Sequence, residues 1–350
     1  MTDVDADAVA GMVRACAPEW ELRGYERAEE GTDFVAVVDC ATPDGDRTAV
    51  LKATTAGFVR PEIARSEPRL LALVGRETSI PVPEVYGFAD DHDEYPAPFY
   101  LMAYAPGENY EDDPSALPDA ARERVVREAG GNLADLHAVG ELPRVGRVGV
   151  RDGDLAVLDY DDGPADDFRA HFARGVEETC DALADGTYFP DRADEPDRFA
   201  DLADPLRAAL RERADALREP EPPRYCHWDY RYGNLLVDPD TGETRAVLDW
   251  ANLTAAEPAY NLAKVESHLF DAQADGPERA ADLRALFRES YAAARDGWTF
   301  TPAVESRMET YLLKCRAEAM ACLPLWLEDA TAEEKDERER QHRDAVADAL

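Results

Sequence analysis

The stretch His227–Asn234 sets a histidine, an aspartate and an asparagine in the order His-x-Asp-x-x-x-x-Asn. The chain has only six histidines and five asparagines, so composition alone predicts far fewer than one such match, however many acids are present. The pattern suits transfer of a phosphoryl group. That reaction needs a hydroxyl held in line with a γ-phosphate, and a carboxylate that orients it and accepts its proton. Asp229 fits that role. Asn234, on the same loop, would offer a neutral oxygen to Mg²⁺. His227 is expected to brace the loop through hydrogen bonds rather than to touch a substrate.

A second carboxylate should lie at the end of the next strand, and Asp249 in "AVLDW" does. Magnesium takes one or two carboxylates together with phosphate oxygens and water, so Asn234 and Asp249 form the expected metal pair. Lys52 in "AVLKAT" follows Val50 and Leu51, inside a buried strand pattern. A buried ammonium needs an anion. Nucleotide phosphates would supply one and a helix glutamate a second. Glu67 in "SEPRLLALV" is the expected partner, with Glu62 in reserve.

The elements that must carry these residues fall into two parts. Residues 3–17 read as a helix. "FVAVVDC" (34–40) and "TAVLKAT" (48–54) read as strands of a hairpin turned at Asp44-Gly45. A helix over 62–75, with Leu70, Leu71 and Val74 on one face, and strands at 84–89 and 98–104 complete a small sheet-rich part. Beyond "APGE" (105–108) the apolar residues Val125, Ala129, Leu133 and Leu136 recur with helical spacing. Helices are expected near 165–184, 197–218, 259–272, 278–295, 302–327 and 331–348. The strand signals of this half, "NLLVD" (234–238) and "TRAVLDW" (244–250), both flank the polar loop. The helix "ETYLLKCRAEAMACLPLW" (309–326) reads as core with one face toward the substrate side. The layout is α+β, with an antiparallel-sheet lobe at 1–103, a hinge near 103–107 and a larger helical lobe at 104–350. Ligands usually sit in the cleft between lobes.

"AVLK", the helix with Glu67, "FYLMAYAPGE", "GGNLADLHAV", "HWDYRYGN" and "LDW…EPAYNLA" together resemble the aminoglycoside phosphotransferase and choline kinase-like family, relatives of the protein kinases. The resemblance runs from about residue 20 to 325. It implies a two-lobed kinase-like fold and transfer of the γ-phosphate of ATP, or sometimes GTP, to a small-molecule hydroxyl. Acceptors would be an amino sugar, an amino alcohol, a ketoamine adduct on protein or another metabolite hydroxyl. It also implies that Met102 backs the adenine pocket and that the backbones of Ala103 and Ala105 bond the base. The phosphate-covering loop is "AEEGTDF", where the backbone around Gly31, Thr32 and Asp33 would cradle phosphate. Three positions depart from the family pattern: Trp228 where glycine is frequent, Ala256-Glu257-Pro258 for Gly-Asp-Pro, and Asn261 for aspartate. Trp228, Tyr230, Tyr232 and Trp250 would allow a cation–π box for an amine, but packing under the loop is the better reading.

Two other classes fit less well. A nucleotide-binding protein without catalysis would be expected to lack Asp229 or Asp249, and both are present. A metal-dependent hydrolase built on those two acids leaves Lys52 unexplained.

Asp and Glu number 75 against 38 Lys and Arg, a net charge of −37. Lysine occurs only at 52, 264, 314 and 335, so each lysine gains weight as a clue and each acid loses it. The acids are spread along the whole chain, as in proteins of organisms that keep molar salt in the cytosol. Nucleic acid is excluded as a partner, because no basic stripe exists to meet phosphates. Arg144, Arg147 and Arg151 read as a solvated loop. The six cysteines form no C-x-x-C pair and read as reduced thiols. No apolar run approaches the ~18 residues that would span a bilayer, and "MTDVDADAVAGMVR" has no signal-peptide character. A cytoplasmic location and no membrane partner are expected. If the acidic surface is built for salt, the urea midpoint will rise as KCl goes from about 0.1 to about 2 M, because the Debye length shrinks several-fold; an unchanged midpoint would contradict that.

Overall fold

The strands β2 (Phe34–Thr42) and β3 (Gly45–Ala53) pair antiparallel, with Thr42 opposite Gly45 and Val35 opposite Lys52. These features come from a computed structural model, which describes residues 4–28, 33–57, 59–158, 167–186, 188, 195–218, 220–270, 275–327, 330–347 and 349–350. With β1 (Glu21–Arg27), β4 (Val85–Ala89) and β5 (Phe99–Ala103), β2 and β3 make a five-stranded antiparallel sheet in the order β1-β2-β3-β5-β4. Helix α1 (Ala6–Cys16) starts at Asp5, whose carboxylate accepts the Ala8 N–H at 2.9 Å. Its Val9, Met12 and Val13 share a buried cluster with Phe34, Ala36 and Val38 of β2, Ala49, Leu51 and Ala53 of β3, and Phe99 and Leu101 of β5. Strand side chains alternate, so the residues between these, Lys52 among them, belong to the other face.

The helix expected over 62–75 is two. Helix α2 (Pro61–Ala64) ends, and α3 (Ser66–Glu77) begins one residue later. Pro68 is the cause: it has no N–H to give the Ala64 carbonyl four residues back, and its ring crowds that carbonyl. Leu70, Leu71 and Val74 are buried on α3 as expected.

The larger core lies in the helical part. It joins α4 (Asp119–Ala138), α5 (Phe168–Asp185), α6 (Ala203–Ala216), α7 (Pro258–Leu269), α8 (Pro277–Ala294) and α9 (Pro302–Trp326); α10 (Ala332–Ala347) adds Val346. The polar loop is followed by β9 (Leu235–Val237) and β10 (Thr244–Val247), the antiparallel hairpin expected there.

The sequence did not announce a second sheet. Strands β6 (Gly146–Arg151), β7 (Asp154–Val157), β8 (Arg224–Cys226) and β11 (Thr254–Ala256) form it in the order β7-β6-β11-β8. Two of these strands are too short to show alternation, and β6 is interrupted by glycine. The arginine patch read as a solvated loop is therefore corrected: Arg147 and Arg151 are strand residues, and Arg147 is half-buried with Nη1 3.1 Å from Asn252 Oδ1.

Helices α4 and α8 approach closely at Gly130, where an added Cβ would lie 2.6 Å from the Phe287 carbonyl oxygen. At Gly131 a Cβ would meet nothing within 4 Å. Gly130→Ala should destabilise by roughly 1–3 kcal/mol through overpacking, whereas Gly131→Ala should be neutral or stabilise by up to ~1 kcal/mol through helix propensity. Urea melts of the two variants decide this; equal effects would contradict the close approach.

Candidate active site

Lys52 Nζ lies 2.7 Å from Glu67 Oε2, so a strand residue and a helix residue meet in an ion pair. Glu62 is turned to Arg60 instead, at 3.8 Å. Burial alone would lower the Lys52 pKa, but the charges of Glu67 and Asp249 hold it above its ordinary value. These three residues line one cavity of about 650 Å³ with Asp33, Asn234 and Arg231.

Asp229 lines a neighbouring cavity and bonds two residues of this one, Asn234 and Arg231. Asn234 Nδ2 donates to its carboxylate at 2.9 Å and to its backbone carbonyl at 2.7 Å. Arg231 Nε donates to both carboxylate oxygens, at 3.1 and 3.2 Å. Burial pushes the Asp229 carboxyl up, yet Arg231 and the other nearby bases keep it below its usual value, so it is ionised at neutral pH. Because the Asn234 nitrogen is committed to Asp229, its amide oxygen is the atom left for a cation.

Asp249 takes a left-handed backbone, φ 59° and ψ 60°. A non-glycine residue there costs roughly 1–2 kcal/mol. The turn ends the run from β10 and sets this carboxylate in the same cavity lining as Asn234. Among the described residues no group of three or more His, Cys, Asp or Glu could hold a metal. One carboxylate and one amide oxygen lining this cavity suit Mg²⁺, which draws its other ligands from phosphate and water; they do not suit zinc.

His227 is buried, and its Nε2 lies 2.9 Å from the Leu248 carbonyl oxygen, which ties the loop to the residue before Asp249. Burial lowers its pKa, so it is a neutral brace. Behind it runs a chain of polar contacts: Asn261 Nδ2 donates to the His227 carbonyl at 2.8 Å, Asn261 Oδ1 is 3.0 Å from His137 Nε2, and His137 Nδ1 is 2.8 Å from Tyr291 Oη. The departure at Asn261 is thus a bracing position.

Other expected residues are placed differently. Gly31 and Thr32 lie outside the described residues. Asp33 turns its carboxylate to the N–H groups of Thr55 and Ala56, at 2.9 and 3.1 Å. Met102, Ala103 and Ala105 are not in the lining of the Lys52 cavity. The Ala103 N–H already donates to the Glu84 carbonyl at 2.8 Å, so a base at this edge would find the Ala103 carbonyl and not its amide. Tyr230, Tyr232 and Trp250 are buried packing residues, while Trp228 is half-buried and lines two further cavities.

Sequence reasoning missed Arg147, which lines all three cavities. It also passed over Lys264 and Lys314, which both reach Glu318, Lys264 at 3.0 Å. The scarcity of lysine that drew attention to Lys52 marked these two equally.

A family model described as "Phosphotransferase enzyme family" matches residues 25–298. A mouse (Mus musculus) protein, "Acyl-CoA dehydrogenase family member 10", is 26% identical over 226 residues, which is 62% of this chain and 18% of that relative; the chain thus spans less than a fifth of the relative's length. Among solved structures, a microcompartment-associated aminopropanol kinase aligns with TM-score 0.61 at 16% identity, covering 97% of this chain and 98% of that one. Aminoglycoside phosphotransferase APH(3'')-Id from Streptomyces rimosus ATCC10970, in complex with ADP and streptomycin, aligns with TM-score 0.53 at 16% identity, covering 91% and 99%. These likenesses show the two-part α+β kinase-like fold. Among the described residues no helix is long and apolar enough to cross a membrane.

Burial lowers the His137 pKa from 6.5 to about 3. The unfolded chain then binds the extra proton between those values, so this group's contribution to stability is complete above pH 6.5 and is lost as pH falls toward 3. Its slope should be up to ~1.4 kcal/mol per pH unit. Urea melts between pH 7 and 5 should show it, and His137→Gln, which cannot titrate, should flatten it; an unaltered slope would remove His137 from the account.

Proposed function

The chain belongs to the phosphotransferase enzyme family, and from that premise we propose that it is an ATP-dependent kinase that phosphorylates a hydroxyl of a small molecule. One observation carries the reading: Lys52, Glu67, Asn234 and Asp249 come from distant parts of the chain and line a single cavity, and Asn234 also bonds Asp229. Residues 1–103 would hold the nucleotide, and 104–350 would supply the loop and the acceptor site. GTP is the alternative donor. The relatives fit this reading, one solved with ADP and streptomycin and one named an aminopropanol kinase.

The roles follow from charge and position. Lys52, oriented by Glu67, neutralises phosphate oxygens that remain on the nucleotide. Asn234 and Asp249 would hold Mg²⁺, which supplies further neutralisation of the triphosphate. Asp229 accepts a hydrogen bond from the acceptor hydroxyl and aims its oxygen at the γ-phosphorus. As the new O–P bond forms, the bond from phosphorus to the β–γ bridging oxygen breaks. The hydroxyl proton passes to Asp229, and ADP leaves with the electron pair of the broken bond. A carboxylate held ionised by Arg231 is a weak base, so its main contribution is orientation until the hydroxyl acidifies in the transition state. His227 acts through the loop and is a positioning residue.

Asp229→Asn should lower kcat by roughly 10²–10⁴ and leave ADP binding in place. Asp249→Ala should weaken Mg·ATP binding as well, and Lys52→Ala should raise the KM for ATP. Single-turnover transfer from labelled ATP to a pool of cell metabolites, with calorimetry for ADP, separates these effects. Undiminished turnover in Asp229→Asn would remove the base assignment. ATP binding with no transfer to any acceptor would favour a nucleotide-binding protein without catalysis.

A further inference from the structure

The charge around Asp229 runs against the charge of the chain. The cavity it lines on the side of α7 and α9 has a volume of about 850 Å³ and is bordered by six Lys or Arg side chains against three Asp or Glu, in a molecule of net charge −37. Two of its walls are built in the same way. Glu318 on α9 is shared by Lys264, at 3.0 Å, and Lys314. Buried Glu266 on α7 is shared by Arg288, at 2.6 Å, and Arg284, at 3.2 Å. Each cluster has two cations bonded to one carboxylate; the further acids that act on them, Glu305 and Glu309 on Arg288 and Asp229 on Lys264, make no ion pair with them among the described residues. Glu318 stays ionised, since burial would raise its pKa but the two lysines hold it at about 2.

Arg147 adds a further positive charge. Its hydrogen bonds go to the neutral Asn252, at 3.1 Å to Oδ1 and 3.3 Å to the backbone carbonyl, and among the described residues it pairs with no carboxylate. It lines both the Lys52 cavity and the Asp229 cavity, so it stands where donor and acceptor would meet.

Of the three aromatic side chains that line this cavity, Trp228, Phe270 and Trp326, the one next to Asp229 in the chain, Trp228, is already engaged. Lys264 Nζ lies 5.7 Å from the centre of the Trp228 ring, so a cationic substrate on that ring would be set against a lysine. Surplus cations with low-dielectric walls attract and retain an anion.

We propose that the phosphoryl acceptor is itself an anion: a small hydroxyl compound that carries a carboxylate or a phosphate, held by Lys264 and Arg147 while its hydroxyl faces Asp229. This rests on the kinase reading above and narrows it to a substrate class, away from amino sugars and amino alcohols.

The test uses the full chain at one fixed ionic strength. Four probes are titrated in the presence of ADP and Mg²⁺: 3-hydroxybutyrate and glycerol 3-phosphate as anions, ethanolamine and kanamycin as cations. Thermal shift and Trp fluorescence report binding, and coupled ADP release reports transfer. At least one anion should bind while both cations fail to. Lys264→Met should weaken anion binding by about tenfold, the scale of one lost charge-assisted contact, and Lys264→Arg should restore most of it. Should Lys264→Met fold poorly, Arg147→Gln carries the same expectation. The two anions tell carboxylate from phosphate. Binding of a cation in preference to both anions, anion binding unchanged in both variants, or no binding by any of the four would overturn the proposal. Transfer to a cationic probe would overturn it and leave the kinase reading intact; anion binding without any ADP release would do the reverse.

Discussion

The ion pair between Lys52 and Glu67 is the constraint on which the rest of the site depends. An ammonium under a sheet is tolerated only with an anion beside it, and removing either partner from such a pair costs about 3–5 kcal/mol. The pair therefore fixes α3 against the exposed-to-cleft face of β3. Alternation along β3 does the rest: Leu51 and Ala53 point into the core under α1, and Lys52 must point the other way. Pro68 contributes by stopping α2, so that Glu67 sits in the first turn of a fresh helix and not in the middle of a long one.

A second set of contacts makes the polar loop rigid without using the groups that face the cavity. His227 bonds the Leu248 carbonyl, Asn261 bonds the His227 carbonyl, and His137 and Tyr291 stand behind Asn261. All are buried. Buried polar networks of this kind favour one arrangement, although His227 Nδ1 has no hydrogen-bond partner among the described residues. The loop that carries Asp229 and Asn234 is thereby tied both to the turn that presents Asp249 and to the packed helices α4, α7 and α8.

Much of this was legible in the sequence, and the reasons differ by element. The β2–β3 hairpin and the long helices announce themselves by apolar period, and Lys52 by its place in such a run. Asp229, Asn234 and Asp249 stood out because their spacing would suit phosphoryl transfer, and the fold joins Asn234 to Asp229 and to the cavity that Asp249 lines. The second sheet was not legible, because β8 and β11 are three residues each and are made by pairing between distant segments. Arg147 was lost with it: an arginine misread as loop cannot be seen to line a cavity. The helix break at Ala64 was readable in principle from Pro68, since the clash with the carbonyl four residues back is local. The network behind His227 was not, because Asn261, His137 and Tyr291 are far apart in the chain and only tertiary contact joins them.

The distribution of charge makes these observations a single argument. In a chain with about twice as many acids as bases, many arginines stay on the surface in exposed ion pairs, and a site for a triphosphate would need other cations gathered at a cavity. Three of the four lysines are partly or fully buried and paired with glutamates at cavity walls. Arg147 and Arg231 stand between the Lys52 cavity and Asp229. Coulomb energy at a few ångströms in a low-dielectric cleft is several-fold larger than across solvent, and salt that screens the outer acids reaches buried pairs far less. The acidic exterior and the cation-lined cavities therefore respond to different conditions: the first sets how the chain tolerates its solvent, the second what it attracts. On the proposed reading a local positive field would hold a nucleotide on one side of Asp229, and the same field would extend to the other side, where the hydroxyl would enter.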